Sequence, residues 1–229
     1  FKKLSSKEIL DASEIVDKDH YYNYIDDGIT INEPVINTIK NGKIHNIDLI
    51  IGSNNDEYSL YFGGIADVDG WLNAEVSNKQ KNKLTNLLSN IDDPIRKLDL
   101  LITAKNFVFP SLLIAKTVNL SGGNSWVYQF NRVRDDPKAL KYGAFHGAEL
   151  PYVFDTHDEW LPTNDIDRKI TEEVQSYWVQ FSKTGNPNLE QKMWDPYSAQ
   201  TNSTFIINEK SYSSSHPSYE ICKIMEPSW

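Results

Sequence analysis

Apolar positions along the chain follow two periods, one helical and one strand-like. Ser5–Val16 reads as a helix that Ser5 or Ser6 can cap, with Ile9, Leu10, Ile15 and Val16 on a patchy apolar face. Asp17–Asp27 is polar and aromatic, with His20, Tyr21, Tyr22 and Tyr24, and Asp26-Asp27-Gly28 signals a turn. Pro34–Lys40 predicts a short helical turn closed by Asn41-Gly42. Ile47–Ile51 is an apolar run broken by Asp48. Bounded by turn signals, it predicts a strand buried on both faces, as in a parallel sheet. Gly52–Glu57 follows as a polar loop.

From Asp67 to Leu120 the pattern is helical. Leu84, Leu87 and Leu88 are expected on one side of Gln80–Leu88, and Asp93-Pro94 opens the next helix with Pro in its first turn. Leu98, Leu101 and Ile102 lead towards Pro110–Val118, and Pro110 should break or kink the run at Phe109. Gly122-Gly123 turns into a strand, Trp126–Phe130. Asn164–Lys183 carries the strongest helical signal. Asn164 can cap it, Asp165 and Asp167 complement the dipole, and Ile166, Ile170, Val174, Trp178 and Phe181 repeat at helical spacing. Gly185 stops it and Pro187 prevents continuation. Thr204–Ile207 is a last strand before a Ser-rich polar tail. Short apolar runs separated by helices predict an α/β class with mostly parallel strands flanked by helices.

Composition narrows the partners. The 229 residues carry a net charge of -9 without a basic cluster, which argues against nucleic acid and anionic membrane surfaces. No apolar run approaches the roughly 18 residues of a membrane span, so none is expected. Cys222 is the one cysteine, so no internal disulfide forms.

Candidate chemistry centres on Tyr142–Phe154, YGAFHGAELPYVF. His146 lies between Gly143 and Gly147, on a loop after a strand, where a scaffold can aim a side chain. Position alone leaves open whether it is an acid–base residue or a surface histidine. Two carboxylates could serve it: Glu57, after the Ile47–Ile51 strand, and Glu149 in its own loop. Glu149 also has a structural reading, bonding backbone N–H groups of that loop. His20, His45, His157 and His216 lie in polar stretches and are expected to be exposed. His146-x-x-Glu149 with His157 matches no known zinc spacing, so no metal is expected.

GAFHGAELPYVF resembles the histidine motif of the type-B carboxylesterases, the cholinesterase-like branch of the α/β-hydrolases. Gly52-Ser-Asn-Asn-Asp-Glu57 is similar to the family's Gly-x-x-x-Asp-Glu-Gly loop, with Tyr58 in place of the last Gly. A Cβ there excludes an easy positive φ. Asp27-Gly28 to Pro34 and Trp178–Asn188, WVQFSKTGNPN, resemble further family segments in the family's order. The resemblance implies that residues 1–229 are the C-terminal portion of one α/β-hydrolase domain. It implies Glu57 as the acid and His146 as the base of a Ser-His-Glu triad, Leu60 and Tyr61 at the acyl end of the site, and no cofactor.

The nucleophile motif Gly-x-Ser-x-Gly does not occur in these residues, and neither does the family's Gly-rich oxyanion-hole segment. Gly123-Asn-Ser125-Trp-Val127 lacks the second Gly. The expectation is therefore an N-terminal part of the same protein that supplies both, with this chain inactive alone on its small-molecule ester. A half-sheet would leave an apolar face and an unpaired strand edge near Ile47–Ile51 or Trp126–Phe130, and copies could pair through that exposed sheet face. The alternative is a cholinesterase-like binding or adhesion module without catalysis. The residues leave the compartment undetermined.

Overall fold

The computed structural model describes residues 3–16, 27–63, 65–190 and 194–226. The chain divides into two compact units, Phe1–Thr38 and Ile39–Trp229. The smaller holds helix α1 (Ser6–Val16) and the start of α2 (Val35–Lys40). Ser5 and Glu8 cap α1 reciprocally: the Ser5 hydroxyl accepts from the Glu8 N–H at 3.3 Å, and the Glu8 carboxylate accepts from the Ser5 N–H at 2.8 Å. His20, Tyr21, Tyr22 and Tyr24 lie outside the described residues. At the expected turn, the Asp27 carboxylate accepts the N–H groups of Ile29, Thr30 and Ile31.

The larger unit is built on a four-stranded sheet in the order β1 (Leu49–Asn54), β2 (Ser125–Phe130), β3 (Ser203–Ile207), β4 (Tyr212–Ser215). The first two pairings are parallel and the third is antiparallel. Side chains of β2 alternate between two cores. Val127 packs among Leu72, Leu101, Leu112 and Ile221. These come from α3 (Val68–Glu75), α5 (Pro94–Thr103), α6 (Phe109–Leu120) and α10 (Tyr219–Met225), and α4 (Asn78–Leu87) adds Leu84. Trp126 and Phe130 point the other way, to Tyr152 of α8 (Leu150–Phe154) and to Ile170, Val174 and Tyr177 of α9 (Asp165–Thr184). The expected stripe of α9 is indeed core, with Asn164 as its cap and Gly185 ending it at φ 74°.

Several expectations need correction. The first strand starts two residues late and runs through Gly52, Ser53 and Asn54, because those residues pair with Tyr128, Gln129 and Phe130. Its residues Leu49–Gly52 are half-buried rather than enclosed on both faces. Trp126–Phe130 lies between β1 and β3, so of the two expected edges only β1 is one. Leu84 and Leu88 are buried on one face, whereas Leu87 is 43% exposed. The charged loop before His146 contains a further helix, α7 (Pro137–Tyr142), capped by Asp136, and the Ser-rich tail folds into β4 and α10.

Pro110 does not end its helix. A π-helical turn, Ala104–Val108, joins α5 to α6, and the Phe109 N–H reaches back to the Ala104 carbonyl. The wider turn relieves the clash that a proline ring makes with the carbonyl four residues before it. The result is a helix spanning Pro94–Leu120, long and apolar enough by length and composition to cross a membrane. The sequence reading expected no apolar run of that length, and this helix meets it by length and composition alone. With 61% of its apolar window buried, it is the core helix of this unit.

Two histidines expected at the surface are not exposed. His157 is half-buried, and His216 is 4% exposed with its Nδ1 accepting the Ser218 N–H at 3.1 Å. Burial pushes the His216 pKa down from 6.5 to about 3, so the ring is neutral in the fold. The unfolded chain then binds a proton that the folded chain refuses between those values. Stability from His216 is complete above about pH 6.5 and is lost as pH falls towards 3. We expect His216→Gln, which keeps an acceptor for Ser218, to flatten that slope. Urea unfolding should show the wild-type chain losing about 3 kcal/mol more than the variant between pH 7 and 4. Parallel stability curves would refute the assignment.

Candidate active site

Parallel pairing of β1 and β2 sends the loops that follow them out of the same end of the sheet. The first loop carries Glu57, and the second runs through α7 to His146. They meet. His146 Nδ1 donates to Glu57 Oε2 at 2.7 Å, although the residues are 89 apart in sequence. The other Glu57 oxygen accepts the Asn54 N–H at 2.6 Å. Glu57 is 4% exposed, whereas the His146 side chain is 51% exposed, and its Nε2 has no hydrogen-bond partner among the described residues. Burial pushes the Glu57 carboxyl above its ordinary range, against the pull of Asn54 and His146.

Asp56 stitches the loops together. Its N–H donates to the Ala144 carbonyl at 3.0 Å, and its Oδ2 accepts the Ala144 N–H at 2.9 Å. Asp56 and Phe145 thereby form an isolated parallel bridge. The contact requires Gly143. Its φ is 69°, and a Cβ there would lie 2.5 Å from Asp56 Oδ2. Asn54 adds a second stitch, donating from Nδ2 to the Phe145 carbonyl at 2.7 Å and to the Glu149 carboxylate. Of the partners open to it, backbone or another side chain, Glu149 takes a side chain, that of Asn54 at the end of β1.

Beyond the pair, Arg96 of α5 forms ion pairs with Asp56 and, at 2.9 Å, with Asp99. Asp99 Oδ1 accepts the Tyr58 N–H at 2.9 Å. Burial, with Asp56 nearby, pushes the Asp99 carboxyl up to about 6. Tyr58 settles at φ -101°, so the position where the family carries Gly needs no positive φ here.

Leu60 and Tyr61 sit on a 3-10 turn, Ser59–Tyr61, just after the acid. The Tyr61 ring centroid lies 6.4 Å from that of His146, and Leu60 is part-exposed beside it. Phe107, on the π-helical turn, is closer to the imidazole at 5.5 Å.

A charged network seats the segment after His146 on α9. Asp167 accepts from Arg132 at 2.8 Å and from the Tyr152 hydroxyl at 2.7 Å. Arg134 donates to His157 Nδ1 at 2.9 Å, so that ring is neutral and directs its Nε2–H to Thr171 Oγ1 at 2.7 Å. With Glu149 and His157 engaged separately, they do not meet His146 as metal ligands. Among the described residues no three His, Cys, Asp or Glu side chains cluster to hold a metal.

Residues 1–224 match the carboxylesterase family. The chain belongs to that family. It is 28% identical over 194 residues to the para-nitrobenzyl esterase of Bacillus subtilis, covering 79% of this chain and 38% of that protein. It is 25% identical over 217 residues to the crystal protein of Dictyostelium discoideum, covering 86% and 40%. Neuroligin-3 of Mus musculus is 26% identical over 195 residues, with 72% and 24% covered. The chain therefore spans about two-fifths of the length of the first two relatives. Among solved structures, a Geobacillus stearothermophilus carboxylesterase superposes with a TM-score of 0.80 at 20% identity, covering 97% of this chain and 49% of that one. A PNB esterase gives 0.78 at 23% identity, covering 97% and 48%. These likenesses establish the fold: the sheet and its helices have the α/β-hydrolase architecture.

Sequence reasoning singled out Glu57 and His146, and the fold brings them together. It left Asn54, Asp56, Arg96, Asp99 and Phe107 without a role. A signal for Asp99 exists: a carboxylate inside the apolar run Leu98–Ile102 cannot be buried without a partner. The loop contact gives a direct test. Gly143→Ala should cost about 2 kcal/mol, from its positive φ and the clash with Asp56. Chemical denaturation would read this as a lower midpoint, and an unchanged midpoint would mean that the two loops are not locked there.

Proposed function

We propose that this chain is the acid-and-base portion of a serine carboxylesterase, the C-terminal part of one α/β-hydrolase domain that hydrolyses small carboxylic esters. The observation that carries the reading is the 2.7 Å contact between His146 Nδ1 and Glu57, with Nε2 turned outward and unengaged among the described residues. A buried carboxylate at Nδ1 fixes the tautomer that leaves Nε2 as an acceptor. A serine hydroxyl from the N-terminal part gives its proton to Nε2 as its oxygen attacks the ester carbonyl. Glu57 stabilises the resulting imidazolium. His146 then protonates the leaving alkoxide, and the acyl-enzyme is hydrolysed by water that His146 activates in turn.

Tyr61 and Leu60, following the acid, would border the acyl end of the ester, with Phe107 across the imidazole. The edge of β1 is where the N-terminal part would continue the sheet, and where two copies of this chain would pair without it. Similarity to neuroligin-3 also fits a binding module, but such a module has no chemical need for a buried Glu–His pair.

Two measurements test the proposal. The 229-residue chain alone should leave p-nitrophenyl acetate at the buffer rate, lacking nucleophile and oxyanion hole. A full-length protein bearing Gly-x-Ser-x-Gly should turn it over and be blocked by an organophosphate. In that protein Glu57→Gln and His146→Ala should each lower kcat by at least about 10³-fold. Near-normal turnover in either variant removes the residue from the mechanism, and a full-length protein without the serine favours the binding module.

A further inference from the structure

The two residues flanking Glu57 are held by one pair of charges on α5. Arg96 Nη1 pairs with Asp56 Oδ1, before the acid, with Asp99 Oδ2 at 2.9 Å, and with the Asn55 carbonyl at 3.4 Å. Asp99 takes the N–H of Tyr58, after the acid, at 2.9 Å. The same Asp56 carboxylate holds Ala144, two residues before His146, through the bond of 2.9 Å. One helix therefore fixes the acid loop on both sides of Glu57 and, through Asp56, the histidine loop as well.

Burial makes this arrangement more than a surface ion pair. Asp99 is 1% exposed and Asp56 is 9% exposed. A carboxylate so buried is costly unless matched by a cation and N–H donors, and removing the cation leaves the charge unmatched. Arg96 meets both carboxylates and the Asn55 carbonyl through one nitrogen, Nη1, which lies between the acid loop and Asp99. Glu57 has no contact of its own with α5 in the set of bonds that hold it, which come from Asn54 and His146. Its position is inherited from its neighbours.

We propose that Arg96 and Asp99 are positioning residues for the Glu57–His146 pair. They set the distance between the acid and the base without touching either. The inference rests on the catalytic reading of that pair, but its test does not need catalysis.

The test is proton NMR of the ¹⁵N-labelled chain at neutral pH, reading the far-downfield resonance of the His146 Nδ1 proton held by Glu57. Glu57→Gln defines its loss. Arg96→Gln should abolish the resonance, as Glu57→Gln does, in a chain whose far-ultraviolet circular dichroism is unchanged. Lys97→Gln removes the same charge from the same helix and should leave the resonance in place. A wild-type resonance in folded Arg96→Gln overturns the proposal, as does its absence from the unsubstituted chain. If Arg96→Gln does not fold, Asp99→Ala is read the same way: it removes the acceptor of the Tyr58 N–H, and an unaltered resonance overturns the proposal. Loss of the ester-hydrolysis reading would appear instead in the turnover of full-length Glu57→Gln and His146→Ala, and not in this resonance.

Discussion

The bond between His146 and Glu57 depends on a pairing neither residue takes part in. β1 and β2 run parallel over six residue pairs, from Leu49 with Ser125 to Asn54 with Phe130. Parallel pairing places both carboxyl ends on one side, so the chain that leaves each strand enters the same space. The ladder is then extended by one bridge, Asp56 with Phe145, beyond the end of the regular strands. That extension turns two neighbouring loops into one rigid element. It also explains why Gly143 must be glycine, since its backbone lies against the Asp56 carboxylate.

Charge is buried unusually densely at this end of the sheet. Glu57, Asp56 and Asp99 are all nearly closed to solvent, and Arg96 is the cation among them. Burial pushes Glu57 and Asp99 upward from the ordinary carboxylate range. The fold tolerates this because nearly every oxygen has a donor: Asn54 and His146 for Glu57, Ala144 and Arg96 for Asp56, Tyr58 and Arg96 for Asp99. Such a network is stable when complete and costly when one member is missing. An acid placed this way is pre-oriented for an imidazole.

The α5–α6 helix reaches the same place by another route. Its π-helical turn absorbs Pro110 and lets the helix continue, and it puts Phe107 beside His146. Bulges of this kind occur often at functional sites, because they re-aim one side chain without breaking the helix. The aromatic wall of the imidazole is thus delivered by a backbone irregularity.

Local sequence determined much of this protein. Asp93-Pro94, Asn164 with Asp167, and Gly185 declare helix ends through capping chemistry that needs only neighbouring residues. The stripe of α9 declares a core face, because periodicity is a local property. Glu57 and His146 were legible because their motifs keep residue type and spacing within a few positions. Tertiary structure alone decided what lies between distant segments. The extension of β1 through Gly52–Asn54 came from its partner's register, not from its own polar side chains. His216, between β4 and α10, is buried although its segment looks solvated in sequence. Arg96 and Asp99 became partners of the acid loop across about forty residues of chain. Such contacts depend on which strands pair and in what order, and no local pattern records that.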